Sequence, residues 1–336
     1  MFAFILRRLV AMVGVLVGVG LLTFVISHVV PADPAVLLAG GPRATAADIA
    51  AVRHRLGLDR PLIVQFFSYA VGLLHGDLGT SITTQHAVLS DFTVYFPATV
   101  ELAFTAWILA AVVGIPLGVV SAVHRGRWVD HVTRVLAVSS VAMPLFWLAI
   151  LLQLVFYGQL GILPVGERID GSVGVPPHVT GLYTVDSLLH GNLPQFLSSL
   201  RHLILPAGTL AFGSLAGLVR VGRASMLEAL NQDYVRTARA KGLRRRRVIY
   251  VHALRNALIP TVTLLSLGLG GLLSGAFLIE IVFSWPGIGE YSVQAVLNFD
   301  YQPIVSVTLL IAAIYVFVNL IADLLYAVLD PRIRYS

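Results

Sequence analysis

The sequence contains no cysteine, so the chain can form no disulfide and can hold no metal or iron–sulfur cluster through thiolates. It also has few charged residues, 12% of its 336 positions, where an ordinary soluble domain has about 25%. Hydrophobic residues make up 57% of the chain, and the mean hydropathy is +0.86. This composition predicts an integral membrane protein and largely excludes redox chemistry.

Catalytic sequence motifs are absent as well. A P-loop requires Gly-Lys followed by Ser or Thr, because the lysine reaches the phosphates and the hydroxyl holds the magnesium. The single lysine, Lys241, is followed by Gly242, so the sequence offers no ATP site of this type. It has neither a His-Glu-x-x-His zinc motif nor a Gly-x-Ser-x-Gly nucleophile motif. We therefore expect a chain that is not an enzyme and that carries no metal or other cofactor of its own.

Six apolar runs approach or exceed the ~20 residues that a helix needs to cross a bilayer. We place the spans at residues 9–30, 98–123, 132–158, 203–221, 259–283 and 304–329. The predicted fold class is an all-α integral membrane protein, in which residues 1–336 form one transmembrane domain with six helices.

The distribution of basic residues predicts the orientation of these spans, since Lys and Arg near helix ends stay on the cytoplasmic side. With both termini in the cytoplasm, 17 basic residues lie on the inner side and six on the outer side. We therefore expect a cytoplasmic loop at residues 222–258 and an extracytoplasmic segment at residues 31–97. Within the latter, residues 46–56 and 62–74 are predicted to form short helices.

Ionisable residues are rare within the predicted spans, where they are costly and commonly functional. The sequence has Glu101, Glu280 and Asp323 at such places. For the two glutamates a carboxylate at the membrane interface is a better interpretation than a role in transport, and Asp323 can pair with an arginine of the inner loop. A carrier driven by protons or sodium needs titratable or oxygen-rich sites near the midplane, so the sequence is poorly equipped for that function.

Glycines four residues apart recur in the spans, as at Gly114 and Gly118, and this spacing lets helix backbones approach closely. The fifth span is especially rich in glycine, so we expect it to pack tightly or to line a path. Pro144 is expected to bend the third span. The candidates for lining a translocation path are Met143, Pro144, Gly271, Ser274 and Gly275.

Residues 231–260 form the most basic stretch, with eight Lys or Arg residues against one acid, Asp233. We expect a helix over residues 234–241, with Asp233 as its N-cap and Gly242 as its C-terminal stop. A second helix is expected from about Arg244. Its apolar stripe would comprise Val248, Val251, Leu254 and Leu258. Anionic lipid head groups would account for the charge, whereas the small residues beside the helix ends favour insertion into a protein groove.

Two stretches of this segment resemble a known motif. Residues 233–243, Asp-Tyr-Val-Arg-Thr-Ala-Arg-Ala-Lys-Gly-Leu, and residues 252–260, His-Ala-Leu-Arg-Asn-Ala-Leu-Ile-Pro, are similar to the EAA loop of ABC-importer permeases of the dipeptide/oligopeptide type. The chain departs from the general pattern at residues 236–238, where Arg-Thr-Ala stands in place of Glu-Ala-Ala. Further matching stretches are Gly-Asp-Leu-Gly-Thr-Ser at 76–81, Phe-Ser-Trp-Pro-Gly-Ile-Gly at 283–289 and Asp-Tyr at 300–301.

The resemblance implies the architecture of a type I ABC-importer permease in a prokaryotic plasma (inner) membrane. It also implies partners: ATP-binding subunits, as two chains or one fused chain, which bind ATP and magnesium; a homologous second permease subunit (DppC-like); and an extracytoplasmic substrate-binding protein. Membrane lipid surrounds the chain, and no nucleic-acid partner is expected. Part of the loop would form a coupling helix that sits in a groove of the ATPase. The residues expected to couple are Asp233, Tyr234, Arg236, Thr237, Ala238, Arg239, Ala240, Lys241, Gly242 and Leu243.

Short peptides are the cargo that the resemblance implies, with this chain forming half of the translocation pathway. Nickel, heme or another small solute carried by the same machinery is the alternative. An ATP-independent secondary carrier is less favoured, and an intramembrane enzyme comes last because no catalytic pair is visible.

Overall fold

The computed structural model describes residues 2–29, 35–36, 39–40, 43–55 and 57–329. In these ranges the regular structure is helical, apart from one isolated bridge between Thr80 and Ala87. The first helices are α1 Phe2–Val29, α2 Ala46–Arg55, α3 Leu62–Leu74, α4 Val88–Val123 and α5 Trp128–Ala142. They are followed by α6 Leu145–Leu152 with its π-helical continuation Gln153–Gln159, α7 Tyr183–Leu189, α8 Leu193–Leu230, α9 Asp233–Ala240, α10 Arg245–Arg247 with its π-helical continuation Val248–Ala253, α11 Leu254–Gly275, α12 Phe277–Val282, α13 Ile288–Leu297 and α14 Tyr301–Leu329.

The chain divides into two compact units. The first unit comprises Met1–Phe96 and Gly287–Val316, and the second comprises Pro97–Pro286 and Phe317–Ser336. In the first unit α1 packs on α3, where the ring centroids of Phe24 and Phe66 lie 5.3 Å apart. The second unit carries the residues that the sequence predicts for coupling and for the translocation path. The assignment of the chain to one transmembrane domain stays a prediction.

Four helices of the described residues are long and apolar enough to cross a membrane. They are Val88–Val123, Leu193–Leu230, Arg245–Leu273 and Tyr301–Ile321. The pair α5 and α6 is a fifth candidate if it counts as one broken span, and α1 contains a shorter apolar stretch, Val10–Ile26. The all-α membrane fold is confirmed, while the count of six spans stays a prediction.

Helix α8 extends well beyond the span predicted at residues 203–221. At its start the side chain of Asn192 accepts a hydrogen bond from the backbone N–H of Gln195 (3.2 Å), and Pro194 occupies the first turn. Its 38 residues correspond to about 57 Å at 1.5 Å per residue, nearly twice the ~30 Å of a hydrocarbon core. Part of α8 therefore projects from the bilayer, and the loop predicted at residues 222–258 begins inside this helix.

The break between α5 and α6 lies at Met143 and Pro144. Met143 has an extended backbone, which the following proline favours by steric contact, so α5 ends at Ala142. The hydroxyl of Ser140 accepts a hydrogen bond from the backbone N–H of Ala216 in α8 at 3.1 Å, which holds the end of α5 on α8. The predicted bend at Pro144 is confirmed, and at 108° it breaks the third predicted span into two helices.

Helices α4 and α8 cross at glycine. A Cβ atom added to Gly118 would lie 3.2 Å from the backbone N of Arg223 and 3.3 Å from the Cα of Gly222. A Cβ atom added to Gly114 would lie 3.0 Å from the Cβ of Leu218. The predicted role of this glycine spacing in close helix packing is confirmed.

Candidate functional site

Helix α9 is the short helix predicted in the basic segment. Its N-cap is Gln232, so the prediction of Asp233 as the N-cap is wrong by one residue. Asp233 instead lies in the first turn, where a negative charge complements the helix dipole. Gly242 has a φ of +73°, the left-handed conformation that commonly ends a helix, and its predicted role as the stop is confirmed.

One face of α9 packs on its own chain. Val235 is fully buried and Ala238 is 6% exposed. Both belong to an apolar cluster that contains Val248, Ile249 and Ala253 of the π-helical segment and, beside them, residues from the ends of α4 and α8. We call the latter residues the platform; they are Val119, Ala122, Met226 and Ala229. Because Ala238 is enclosed in this cluster, its side chain cannot face a partner protein, whatever its small size suggests.

The opposite face of α9 is open to solvent. Of the ten residues expected to couple, eight are exposed, whereas Ala238 is buried and Leu243 is half-buried. Asp233 and Arg236 form an exposed ion pair with an N–O distance of 3.3 Å. The exposed residues are Asp233, Tyr234, Arg236, Thr237, Arg239, Ala240, Lys241 and Gly242.

The chain enters α11 through the π-helical residues Val248–Ala253. A π turn closes hydrogen bonds between residues five apart and so holds more residues than an α turn. On the buried face Val248 is followed by Ala253 and then by Ala257. Val251 is 54% exposed. The predicted apolar stripe is therefore wrong at Val251, because the period of an α-helix does not hold across a π turn.

A groove of about 310 Å³ opens beside α9. Arg239 and Arg245 line it, both with exposed side chains. Its apolar lining residues are Val123, Leu230, Leu243, Val248 and Ile249. An anionic group that entered this groove would meet two guanidinium groups among apolar side chains.

The candidates for the translocation path lie at two places in the second unit. Pro144 is exposed and Met143 half-buried at the break between α5 and α6. Gly271 is exposed in α11, and nothing lies within 4 Å of a Cβ atom added there. Ser274 and Gly275 follow one turn later in the same helix. A role of these residues in lining a path stays a prediction.

Sequence reasoning missed an apolar cavity of about 200 Å³ lined by α4, α8 and α11. Trp107 lines it and donates its indole N–H to the carbonyl oxygen of Leu265 at 2.8 Å. Gly213 and Gly217 of α8 and Gly268 of α11 contribute to its walls. The glycine spacing on α8 was the available signal, but one sequence does not reveal which neighbour those glycines face.

Glu101 forms a buried ion pair with Arg168. Its side chain also accepts hydrogen bonds from the backbone N–H and the hydroxyl of Thr184, at 2.8 and 2.7 Å. The guanidinium of Arg168 lies 3.6 Å from the ring centroid of Tyr183 and donates to the carbonyl oxygen of Gly181 at 2.8 Å. This carboxylate is satisfied by its own chain, which agrees with the preference for a role other than transport.

Glu280 is also enclosed by its own chain. It is fully buried and accepts a hydrogen bond from the hydroxyl of Thr99 at 2.6 Å. The side chain of Asp323 lies outside the described residues. Within the part of the chain that the structure describes, no three His, Asp or Glu side chains are grouped to hold a metal ion.

A second buried ion pair was not among the candidates from the sequence. Asp130, in the first turn of α5, is 1% exposed and pairs with Arg223 of α8. The Nε and Nη2 atoms of Arg223 donate to the two carboxylate oxygens at 2.8 and 3.0 Å. The partners are 93 positions apart in the chain, so no local pattern signals their contact.

In the first unit, two of the matching sequence stretches meet. The hydroxyl of Ser81 and the backbone N–H of Thr83 donate to one carboxylate oxygen of the fully buried Asp300, at 2.7 and 2.8 Å. Tyr291 donates to Asp91 at 2.8 Å, and burial together with this carboxylate raises the pKa of Tyr291 well above its ordinary value. These stretches therefore share one hydrogen-bonded network.

Curated relatives match this chain over nearly its whole length. The probable D,D-dipeptide transport system permease protein DdpB of Escherichia coli K12 is 50% identical over 97% of this chain and 96% of that protein. The di/tripeptide transport system permease protein DppB of Pseudomonas aeruginosa is 43% identical, and the glutathione transport system permease protein GsiC of Salmonella choleraesuis is 38% identical, each over 100% of both chains.

A solved structure and two family models agree with these relatives. A chain of the MetNI methionine ABC transporter has a similar fold, with a TM-score of 0.52 and 14% identity over 69% of this chain and 93% of that chain. The model for the N-terminal part of binding-protein-dependent transport membrane components matches residues 1–103. The model for the binding-protein-dependent transport system inner membrane component matches residues 114–335. The chain therefore belongs to this family of binding-protein-dependent transport system inner membrane components, the multi-pass permeases of ABC importers.

Proposed function

We propose that the chain is the permease subunit of an ATP-driven importer of short peptides. The observation that carries the proposal is the 50% identity to a D,D-dipeptide permease over 97% of the chain. The names of the other two relatives, a di/tripeptide and a glutathione permease, also specify short peptides. This favours peptides over nickel or heme. A homologous, DppC-like permease forms the other half of the pathway.

The exposed face of α9 is the surface that we assign to the ATP-binding subunits. Val235 and Ala238 anchor the helix in the apolar cluster that includes the platform, while Tyr234, Thr237 and Ala240 are exposed. A two-turn helix that is held at the ends of two long helices can pass a displacement on to them. The ATPase, as two chains or one fused chain, supplies the ATP and magnesium sites.

In this arrangement α9 lies in the cytoplasm, together with both termini, and the chain crosses the membrane six times. The excess of basic residues on that side supports this orientation. Residues 31–97 then lie on the extracytoplasmic side, where a substrate-binding protein docks.

A transport assay with the assembled complex tests the proposal. The complex of both permeases and the ATPase is reconstituted in vesicles, and uptake of radiolabelled L,L- and D,D-dialanine is followed with and without ATP and the binding protein. We expect dipeptide accumulation that requires both. Uptake that needs no ATP, or uptake of nickel or heme but of no dipeptide, contradicts the proposal.

A further inference from the structure

The Asp130–Arg223 ion pair connects more than the two helices on which its partners lie. Its two N–H···O bonds are parallel, so the planar guanidinium fixes the direction as well as the distance between α5 and α8. The hydroxyl of Ser121, in α4, donates to the same carboxylate at 2.6 Å, and the backbone N–H of Gly126 donates at 2.9 Å. One carboxylate thus ties together α4, the turn after it, α5 and α8.

The residues that surround the Asp130 carboxylate lie close to the platform residues along both α4 and α8. Arg223 precedes Met226 by three residues, one helical turn, and Ser121 is adjacent to Ala122. The backbones of α4 and α8 touch at the same level, since Gly118 faces Gly222 and Arg223. The platform that holds α9 is therefore built on helix ends that the ion pair fixes relative to each other.

A buried ion pair is a weak way to gain stability. Its desolvation penalty offsets most of the Coulombic attraction, and apolar side chains of similar volume are often equally or more stabilising. An apolar contact, however, permits helices to slide and rotate, whereas a bidentate pair holds one geometry. A carboxylate on α5 that accepts from α4, from the turn after it and from α8 is thus suited to transmitting motion rather than to stability alone.

We infer that Asp130 and Arg223 are positioning residues for energy coupling: they make α4, α5 and α8 move as one body with the platform, so that a displacement of α9 reaches the membrane helices. The inference rests on the proposed function, because it takes α9 as the contact with the ATPase. The residues touch neither the peptide nor ATP. They act through the platform.

The test measures how many peptides are imported for each ATP hydrolysed, with the complete complex in vesicles. For Asp130→Asn we expect this ratio to fall at least about fivefold, the lower end of ordinary coupling effects, while ATP hydrolysis continues. Arg223→Lys, which keeps the charge but loses the fork, should fall between this variant and the wild type. Glu101→Gln is the matched control: it weakens the other buried ion pair of the unit, and the ratio should stay at the wild-type value.

A double variant separates positioning from stability. In Asp130→Leu/Arg223→Met both charges are replaced by apolar side chains, so the thermal midpoint should return to near the wild-type value. The transport ratio should nevertheless remain low, because the fixed geometry is gone. A wild-type ratio in either Asp130→Asn or the double variant overturns the inference. Failure of the wild-type complex to import any dipeptide would instead refute the proposed function.

Discussion

The second unit contains two ion pairs with buried carboxylates that are alike in chemistry and unlike in construction. Glu101 and Arg168 are both enclosed, at 3% and 4% side-chain exposure, and the surrounding contacts come from the chain between Arg168 and Thr184. In the other pair Asp130 is 1% exposed but Arg223 is 23% exposed. The first pair fastens a connecting segment to one helix, whereas the second joins three helices.

This difference indicates what each pair does. A pair that is closed to water on all sides and bound to a local segment serves that segment's conformation. A pair whose carboxylate lies on α5 and whose donors lie on α4 and α8 determines how whole helices lie relative to one another. Helix α4 contributes to both sites: Glu101 lies near Pro97 in this helix, and Ser121, whose hydroxyl donates to Asp130, lies near its end at Val123.

The largest expected difference between the two pairs is in the free energy of unfolding that is lost when the carboxylate of each pair is removed. Glu101→Ala leaves the guanidinium of Arg168 buried without its charge partner, which should lower the free energy of unfolding by about 3–5 kcal/mol. Asp130→Ala should cost less, because the partly exposed Arg223 can turn its charge towards water. Denaturant unfolding in detergent measures both, and an equal or larger loss in Asp130→Ala would contradict the comparison.

A smaller loss of stability is expected from a substitution at the crossing of α4 and α8, close to Asp130. Gly118→Val would place methyl groups against the backbone of Gly222 and Arg223, which cannot move as a side chain does. We expect a loss of about 1–3 kcal/mol, as for other overpacked sites. Gly271→Ala is the matched control, because open space surrounds that position; a loss of similar size there would show that the crossing is not special.

The smallest expected effect is on the pH dependence of stability, and it concerns Asp186 in the segment that contacts Arg168. Burial opposes ionisation of Asp186, but the hydrogen bonds from Thr180, Val179 and Gly181 outweigh it and lower the pKa of this carboxyl group. A lowered pKa means that its contribution to stability is present above the unfolded value of about 4 and is lost as the pH falls through the folded value. The thermal midpoint should therefore fall in acid, and less steeply in Asp186→Asn. An identical pH profile in that variant would refute this assignment.

Local signals predicted part of this structure. The stop of α9 at Gly242 and the break at Pro144 follow from the backbone preferences of single residues, and both were predicted. The two ion pairs were missed because their partners are 67 and 93 residues apart. The predicted apolar stripe is wrong at Val251 because no residue preference in the sequence indicates a π turn.

The treatment of small residues in α9 shows the same limit. Ala238 and Ala240 are equivalent in the sequence, and both were expected to enter a groove of the ATPase. The structure separates them, since Ala238 is buried against the platform and Ala240 is exposed. Which face of a short helix is exposed depends on the helices against which it packs. The local sequence of the short helix does not specify those contacts.

The central claim is that the exposed face of α9 contacts an ATP-binding subunit in the cytoplasm, and the absence of cysteine makes it directly testable. The single variants Ala240→Cys and Ala238→Cys are treated with an impermeant maleimide before the ATPase is added, and with a bifunctional crosslinker after assembly with it. We predict that Ala240→Cys is labelled only from the cytoplasmic side and crosslinks to the ATPase, while Ala238→Cys does neither. Labelling of Ala240→Cys from the outside, or no crosslink from it, would contradict the account.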